Sequence, residues 1–392
     1  MTTDIVQSAS APAGGFVLPA SRRTKPPRSE TGRAFETRFD RIHDHVYSIG
    51  LFVPTSGALG IWGPSTIACA RLAAEEINRA GGLLGQEVCL RLVDAADERC
   101  DLVEQTGQVL ADGEIDAIVG MHTSAVRQRL LEPIGGSLPY VYTPLYEGGE
   151  RSPAVYTIGE TPQQQLRPAI HALSARLRLK RWALLGNDYI WPRTSHVLAR
   201  AYVKEVGGEV VDDLYLPLGT SNFDPVLERL ARLKADAVLL SLAGQDAIEF
   251  SRGFGAAGPL VRGMVRLSCA IEENGLLAMG AENTDHLYAA AGYFSGVQSD
   301  ANMAFKERYY SLHGERAPTL NALGQSTYEG VHFLAALIGR NHRSRDRFSM
   351  PDRAPLPYRS ARNAAYVNND HKLYPMYLAR AEGHLFEVVE RL

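Results

Sequence analysis

The chain is predicted to be an α/β protein built on doubly wound parallel sheets, and three observations carry that expectation. Short, mostly apolar runs recur, among them AIVG (Ala117–Gly120), WALLG (Trp182–Gly186) and AVLLSL (Ala237–Leu242), the form taken by strands buried on both faces. Stretches of helical periodicity alternate with these runs along the chain. Several runs end in turns of hydroxyl, amide and aromatic residues, and in a parallel sheet such turns open on one edge. At 392 residues the chain exceeds one typical core, so two domains are expected.

Residues 1–45 are rich in Pro, Ser, Gly and Arg and lack periodicity, which predicts a disordered tail. Val46–Val53 is the first strand. The Gly-rich loop PTSGALGIWGPS follows, then Thr66–Ala80 as an amphipathic helix stopped by Gly81-Gly82. Strand Glu87–Val93, helix Cys100–Leu110, strand Ala117–Gly120, helix Ala125–Ile134 and strand Pro139–Tyr142 continue the alternation. The run Ala154–Gly159 leads to Glu160-Thr161-Pro162, a polar break of the kind found at a hinge. Beyond it come helix Leu166–Leu177, strand Trp182–Gly186, helix Val197–Val206, strand Glu209–Leu216, helix Pro225–Leu233, strand Ala237–Leu242, helix Ala247–Phe254 and strand Gly263–Leu267. His286–Ala291 is a strand that returns the chain through Tyr293-Phe294 to the helices Ala301–His313 and Gln325–Ile338. Residues 339–362 are Arg-rich and irregular, expected as a solvated linker, with short strands at Ala365–Val367, Pro375–Arg380 and Phe386–Val389 closing the chain.

The turns carry the chemistry. Met121-His122-Thr123-Ser124 ends one strand and opens a helix, offering backbone N–H groups and a positive dipole end to a polar ligand. Thr143 to Gly149 breaks from the next strand and places Tyr142 and Tyr146 near the same edge. Asn187 to Arg193, with Tyr189 and Trp191, is the second domain's counterpart, and Ser268 to Glu273 is a further polar turn. Trp62, between Gly60 and Gly63, can shut over a ligand or pack on the surface. The candidate ligand-binding residues are therefore Trp62, His122, Thr123, Ser124, Tyr142, Tyr146, Tyr189, Trp191, Ser268 and Glu272. Their hydroxyls and rings suit a small polar ligand wedged between aromatic faces.

Composition excludes several classes. A net charge of −3 argues against nucleic-acid binding through the body of the protein. No apolar run approaches the ~20 residues that span a bilayer. No nucleotide-binding glycine fingerprint, nucleophile elbow, SxxK, HExxH or DxD pair stands out, so no cofactor, metal or catalytic residue is assigned. A small-amide hydrolase using His122, Ser124 and a carboxylate is the enzyme alternative, but a nucleophile needs its base across a pocket with an orienting acid behind it. Cys69, Cys89, Cys100 and Cys269 form no metal spacing, and Cys69 and Cys89 are expected as buried free thiols. The first residues show no charged segment followed by an apolar one, which predicts a cytoplasmic address, with a periplasmic one as the alternative.

Three segments resemble the type I periplasmic-binding-protein superfamily, Leu/Ile/Val-binding class: SIGLFVPTSGALGIWGPSTIACARLAAEEINRAGGLLGQEVCL, the DAIVG-x-x-x-S turn and SNFDPVLERLARLKADAVLL. Tyr142…Tyr146-Glu147-Gly148, Gly186 to Arg193, Tyr293-Phe294-Ser295 and Asn368-Asn369-Asp370-His371 are similar to its amide- and urea-binding members, above all the cytoplasmic amide sensors of bacterial aliphatic-amidase operons. The resemblance implies two Rossmann-like lobes joined by three hinge crossings, with ligand in the cleft. The lobes are expected at 46–159 plus 292–345 and at 160–291 plus 346–392. It implies that Ser124, Tyr142, Tyr189 and Trp191 face the ligand. Trp191 and His122 stand where that pattern has Tyr, Pro144 stands where it has Thr, and the Trp62 loop is closer to the amino-acid binders. The implied function is a sensor of a short-chain amide, urea or small amino acid that regulates nitrogen metabolism through an RNA-binding antiterminator. The alternative is the solute-binding subunit of an ABC importer, docking on its permease, and homo-oligomerisation stays open in either case.

Overall fold

A computed structural model describes residues 46–96, 101–261, 263–344 and 355–392. The expected tail at 1–45, Cys100 and residues 345–354 of the Arg-rich stretch lie outside them. The first sheet comprises β1 (Tyr47–Val53), β2 (Val88–Asp94), β3 (Ala117–Gly120), β4 (Tyr140–Tyr142) and β5 (Val155–Thr157), in the order β2-β1-β3-β4-β5. Every pairing in it is parallel. The second sheet is founded on β6 (Arg181–Asn187), β7 (Glu209–Leu216), β8 (Ala237–Ser241), β9 (Val265–Ser268) and β10 (Leu287–Ala291). A small antiparallel sheet holds β11 (Leu356–Pro357), β12 (Ala365–Asn368) and β13 (His371–Leu373). The chain then rejoins the second sheet as the antiparallel pair β14 (Tyr377–Glu382) and β15 (Leu385–Arg391), giving the order β15-β14-β10-β9-β8-β6-β7.

The helices are α1 (Gly63–Arg79), α2 (Leu102–Ala111), α3 (Ser124–Ile134), α4 (Pro162–Leu177), α5 (Ile190–Glu205), α6 (Asp224–Leu233), α7 (Gln245–Ala257), α8 (Glu273–Met279), α9 (Asp300–His313) and α10 (Ala322–Ser344). They cover both faces of each sheet. Ile49, Leu51 and Val53 pack with α1, α9 and α10, whereas Phe52 and Ile118 pack with α2 and α3. In the second sheet Leu185 and Leu240 face α6 and α7, and Trp182 and Leu184 face α4 and α5. The uninterrupted burial of β3 and β8 accounts for their lack of polar alternation.

The chain passes between the sheets three times: after β5, after β10 and before β14. One residue from each passage meets the others. Arg362 pairs with Glu160, and Gly292 lies so close to both that a Cβ there would overlap them. Arg362 Nε also donates to Glu329 of α10 at 3.0 Å. Its burial corrects the expectation of a solvated basic linker over these residues, and Leu356, Ala361 and Tyr366 likewise belong to the first core. Helices α4 and α5 begin a full turn or more earlier than expected. Proline, read as a breaker, is tolerated in a first turn whose N–H groups have no intrahelical acceptor. Thus α4 starts at Pro162 behind a Thr161/Gln164 capping box, and α5 starts at Ile190, taking in Pro192. Cys69 and Cys269 are buried free thiols, but Cys89 is exposed because β2 is an edge strand.

Candidate functional site

Six turns that follow parallel strands converge on one cavity of about 20 Å³. It is lined by Trp62 (after β1), His122, Thr123 and Ser124 (after β3), Pro144 and Leu145 (after β4), Tyr189 and Trp191 (after β6), Ala243 (after β8), Ala270 and Glu272 (after β9), and Leu323 of α10. In the first sheet β1 and β3 are neighbours whose crossovers leave in opposite directions, and in the second sheet β6 and β8 are such a pair. Turns diverge at these switch points and leave a crevice at the strands' C-terminal ends. A space of this size holds about one water, so a ligand of several heavy atoms enters only when the facing turns move apart.

Trp62 ends a 3-10 turn, Gly57–Trp62, and its carbonyl accepts from Thr66 Oγ1 at 2.8 Å. The neighbouring Ile61 carbonyl accepts from Asn274 Nδ2 of α8 at 3.0 Å, tying the Trp62 loop to the second sheet's half. Thr123 is the N-cap of α3, its hydroxyl accepting from Val126 N at 3.2 Å, which leaves Ser124 as the first helical residue at the cavity wall. The rings of Tyr189 and Trp191 lie 6.3 Å apart at 33°. Three buried polar atoms on this wall have no partner among the described residues: Trp62 Nε1, Ser124 Oγ and Trp191 Nε1. All three can donate. Burial, and after it the adjacent Glu273 carboxylate, push Glu272 up to about 8.

Seven of the ten residues expected from the sequence line this cavity: Trp62, His122, Thr123, Ser124, Tyr189, Trp191 and Glu272. Tyr142, Tyr146 and Ser268 do not. Tyr142 shares a face of β4 with Tyr140, packs against α3, and spends its hydroxyl on the His122 carbonyl at 2.6 Å. Tyr146 donates to the Asn369 carbonyl at 2.8 Å, and the Arg127 guanidinium, paired with Glu147 and Glu150, lies 5.3 Å and 5.6 Å from the Tyr142 and Tyr146 ring centres. Ser268 accepts from Ala270 N at 3.1 Å and shapes the turn that carries Glu272. Leu323 and Ala243 join the lining with no signal in the sequence beyond apolarity.

His122 is committed to structure. Its Nδ1–H faces the Thr123 carbonyl at 3.1 Å, so Nε2 accepts from the Tyr140 hydroxyl at 2.9 Å. Burial holds its pKa down to about 3. With both nitrogens spent and the ring neutral, it is not placed to take a proton from Ser124. Among the described residues no cluster of His, Cys, Asp and Glu is arranged to hold a metal, and no helix is long and apolar enough to cross a membrane.

The periplasmic binding protein family matches residues 46–382. Leu/Ile/Val-binding protein BraC3 of Rhizobium johnstonii is 29% identical over 200 residues, 49% of this chain and 53% of that protein, so the chain spans about half the length of this relative. Leu/Ile/Val-binding protein homolog 3 of Brucella melitensis is 24% identical over 311 residues, 75% of this chain and 78% of that one. Among solved structures, an ABC-transporter solute-binding protein of R. palustris in complex with 4-hydroxybenzoate has a TM-score of 0.76 at 16% identity, covering 89% of this chain and 97% of its own. LivJ of Streptococcus pneumoniae in complex with isoleucine has a TM-score of 0.73 at 18% identity, covering 89% and 100%. Identities this low show the fold alone. The family match overturns the cytoplasmic address expected above, since the family is one of periplasmic binding proteins. That expectation rested on a segment not seen, which is weaker ground than a match along the folded chain. From the paired sheets to the crevice between their strand ends, this chain belongs to the periplasmic binding protein family.

Proposed function

We propose that the protein is the solute-binding subunit of an ABC importer and that its solute is a small zwitterion, an α-amino acid. One observation carries the ligand class: one cavity holds three buried donors without acceptors, and a carboxyl group without a cation, among the described residues. Trp62 Nε1, Trp191 Nε1 and Ser124 Oγ, beside the N-terminal end of α3, suit a carboxylate. Glu272 suits an ammonium, which would return its pKa toward the ordinary range. A neutral amide or urea satisfies the donors but leaves Glu272 facing no charge. A benzoate would offer Glu272 no cation and would oppose its ionisation. The names of the two curated relatives, both Leu/Ile/Val-binding proteins, support the same class. Family membership supports a role in import, with a membrane permease as partner, over a gene-regulatory one.

Binding is the whole of the proposed chemistry, with the solute released unchanged when the halves part. The test is calorimetric titration of the purified protein with L-leucine, L-lysine, acetamide, urea and benzoate. Saturable binding of an amino acid, and weak or no binding of the other three, is expected. Acetamide, urea or benzoate binding while both amino acids fail would overturn the reading.

A further inference from the structure

Toward the crossings from Glu272 lies a second chamber of about 20 Å³, which shares Pro144, Leu145, Glu272 and Leu323 with the first. Its other polar lining is Glu160, Gln165, Cys269, Glu273, Tyr293 and Ser326. The donors there are largely spent: Ser326 donates to the Thr143 carbonyl, Tyr293 donates to Asn302 Oδ1 at 2.8 Å, and Gln165 Nε2 donates one of its two N–H groups to the Ala290 carbonyl at 3.2 Å. The acceptors are not. Gln165, 1% exposed, has no partner for Oε1 among the described residues, and Glu273, 3% exposed, has none for Oε2. Glu273 Oε1 is held by Ser295 N at 2.7 Å, which fixes the carboxyl group in place.

No cation among the described residues fills this gap. Arg362 is committed to Glu160 and Glu329, and the Lys306 ammonium donates to the Ser295 carbonyl at 3.1 Å. Lys306 draws the Glu273 pKa down from nearby, but burial outweighs it and leaves that carboxyl raised. Buried acceptors without donors are costly, and a buried carboxyl group with no cation beside it is driven toward its neutral form until one arrives. A chamber with two buried acceptors unpaired among the described residues, one of them a carboxyl oxygen, set beside a site that suits an amino-acid head, matches a side chain that ends in donors.

We infer that this second chamber is a cation subsite and that the solute is a basic amino acid, its distal ammonium or guanidinium held by Glu273 and Gln165. This rests on the amino-acid reading above and narrows it. The donor-rich cavity takes the carboxylate, Glu272 the α-ammonium, and the chamber beyond Leu145 and Leu323 the far end of the side chain.

L-lysine and L-norleucine share a carbon chain and differ in the distal amine, so their titration into the wild-type protein tests the subsite directly. Lysine is expected to bind about tenfold tighter or more, the ratio for one buried charge-assisted contact. Glu273→Gln keeps an acceptor for Ser295 N and is expected to weaken lysine about tenfold while leaving norleucine within about twofold. Norleucine binding as tightly as lysine, or a Glu273→Gln variant with an unchanged ratio, would overturn the subsite and leave the amino-acid reading standing. Failure of both to bind would remove that reading and the subsite with it. The wild-type comparison needs no variant, so a misfolded Glu273→Gln would not shield the proposal.

Discussion

Arg362, from the last passage between the sheets, pairs with Glu160 from the first, and the pair is buried against Gly292 of the second. All three connections therefore turn about one ion pair. Gly292→Ala would drive a methyl group into both partners, so it is expected to destabilise the protein by about 1–3 kcal/mol, the usual cost of overpacking. Urea unfolding measures this, and an unchanged midpoint would show that the passages are looser than their packing implies.

Asn274 bridges the halves at the cleft mouth, donating to Ile61 O while its own Oδ1 accepts from Asn321 Nδ2 at 2.8 Å. Asn274→Ala should loosen the closed arrangement without touching the cavity wall. The expected loss in amino-acid affinity is about 0.5–1.5 kcal/mol, carried by faster release. Stopped-flow dissociation separates the two rates. A change confined to the association rate would argue against a latch.

Ser124→Ala removes a hydroxyl at the cavity wall that has no partner among the described residues, so the fold should keep its melting temperature while amino-acid affinity falls by about 0.5–1.5 kcal/mol. Tyr189→Ala removes a ring face as well and should cost more. By contrast, Tyr142→Phe breaks the bond to the His122 carbonyl and should lower stability rather than reshape the site. Wild-type affinity in both Ser124→Ala and Tyr189→Ala would place the site elsewhere.

The raised pKa of Glu272 gives a pH dependence of definite sign. In the empty protein the group is mostly neutral below about 8, whereas pairing with an ammonium requires it ionised. Binding then expels a proton, and amino-acid affinity should rise between pH 6 and 8, by up to about tenfold per unit. A benzoate-type anion would show the opposite trend. The same shift bears on stability. An unfolded Glu ionises near ~4.3, so this group's contribution is present below that pH and is lost as pH rises through about 8. Glu272→Gln should flatten both profiles, and a wild-type affinity that is level from pH 6 to 8 would remove Glu272 from the ammonium role.

The alternation of buried strands and amphipathic helices was legible residue by residue, because a strand covered on both faces has no polar positions to spare. Trp62, Ser124, Trp191 and Glu272 were legible for a related reason: parallel strands deliver their C-terminal turns to one edge, whatever the loops between them. Side-chain direction was not. Tyr142 read as a ligand contact, yet the period of β4 puts it on the same face as Tyr140, inside the core. Nor could the Arg-rich stretch reveal that Arg362 is buried, since its carboxylate partners lie 202 and 33 residues away and only the folded chain brings them together. Local pattern determined which elements form and where their polar ends gather. Tertiary structure alone decided which of those ends share a cavity and which atoms in it remain unpaired, because satisfaction of a buried group is settled by neighbours distant in the chain.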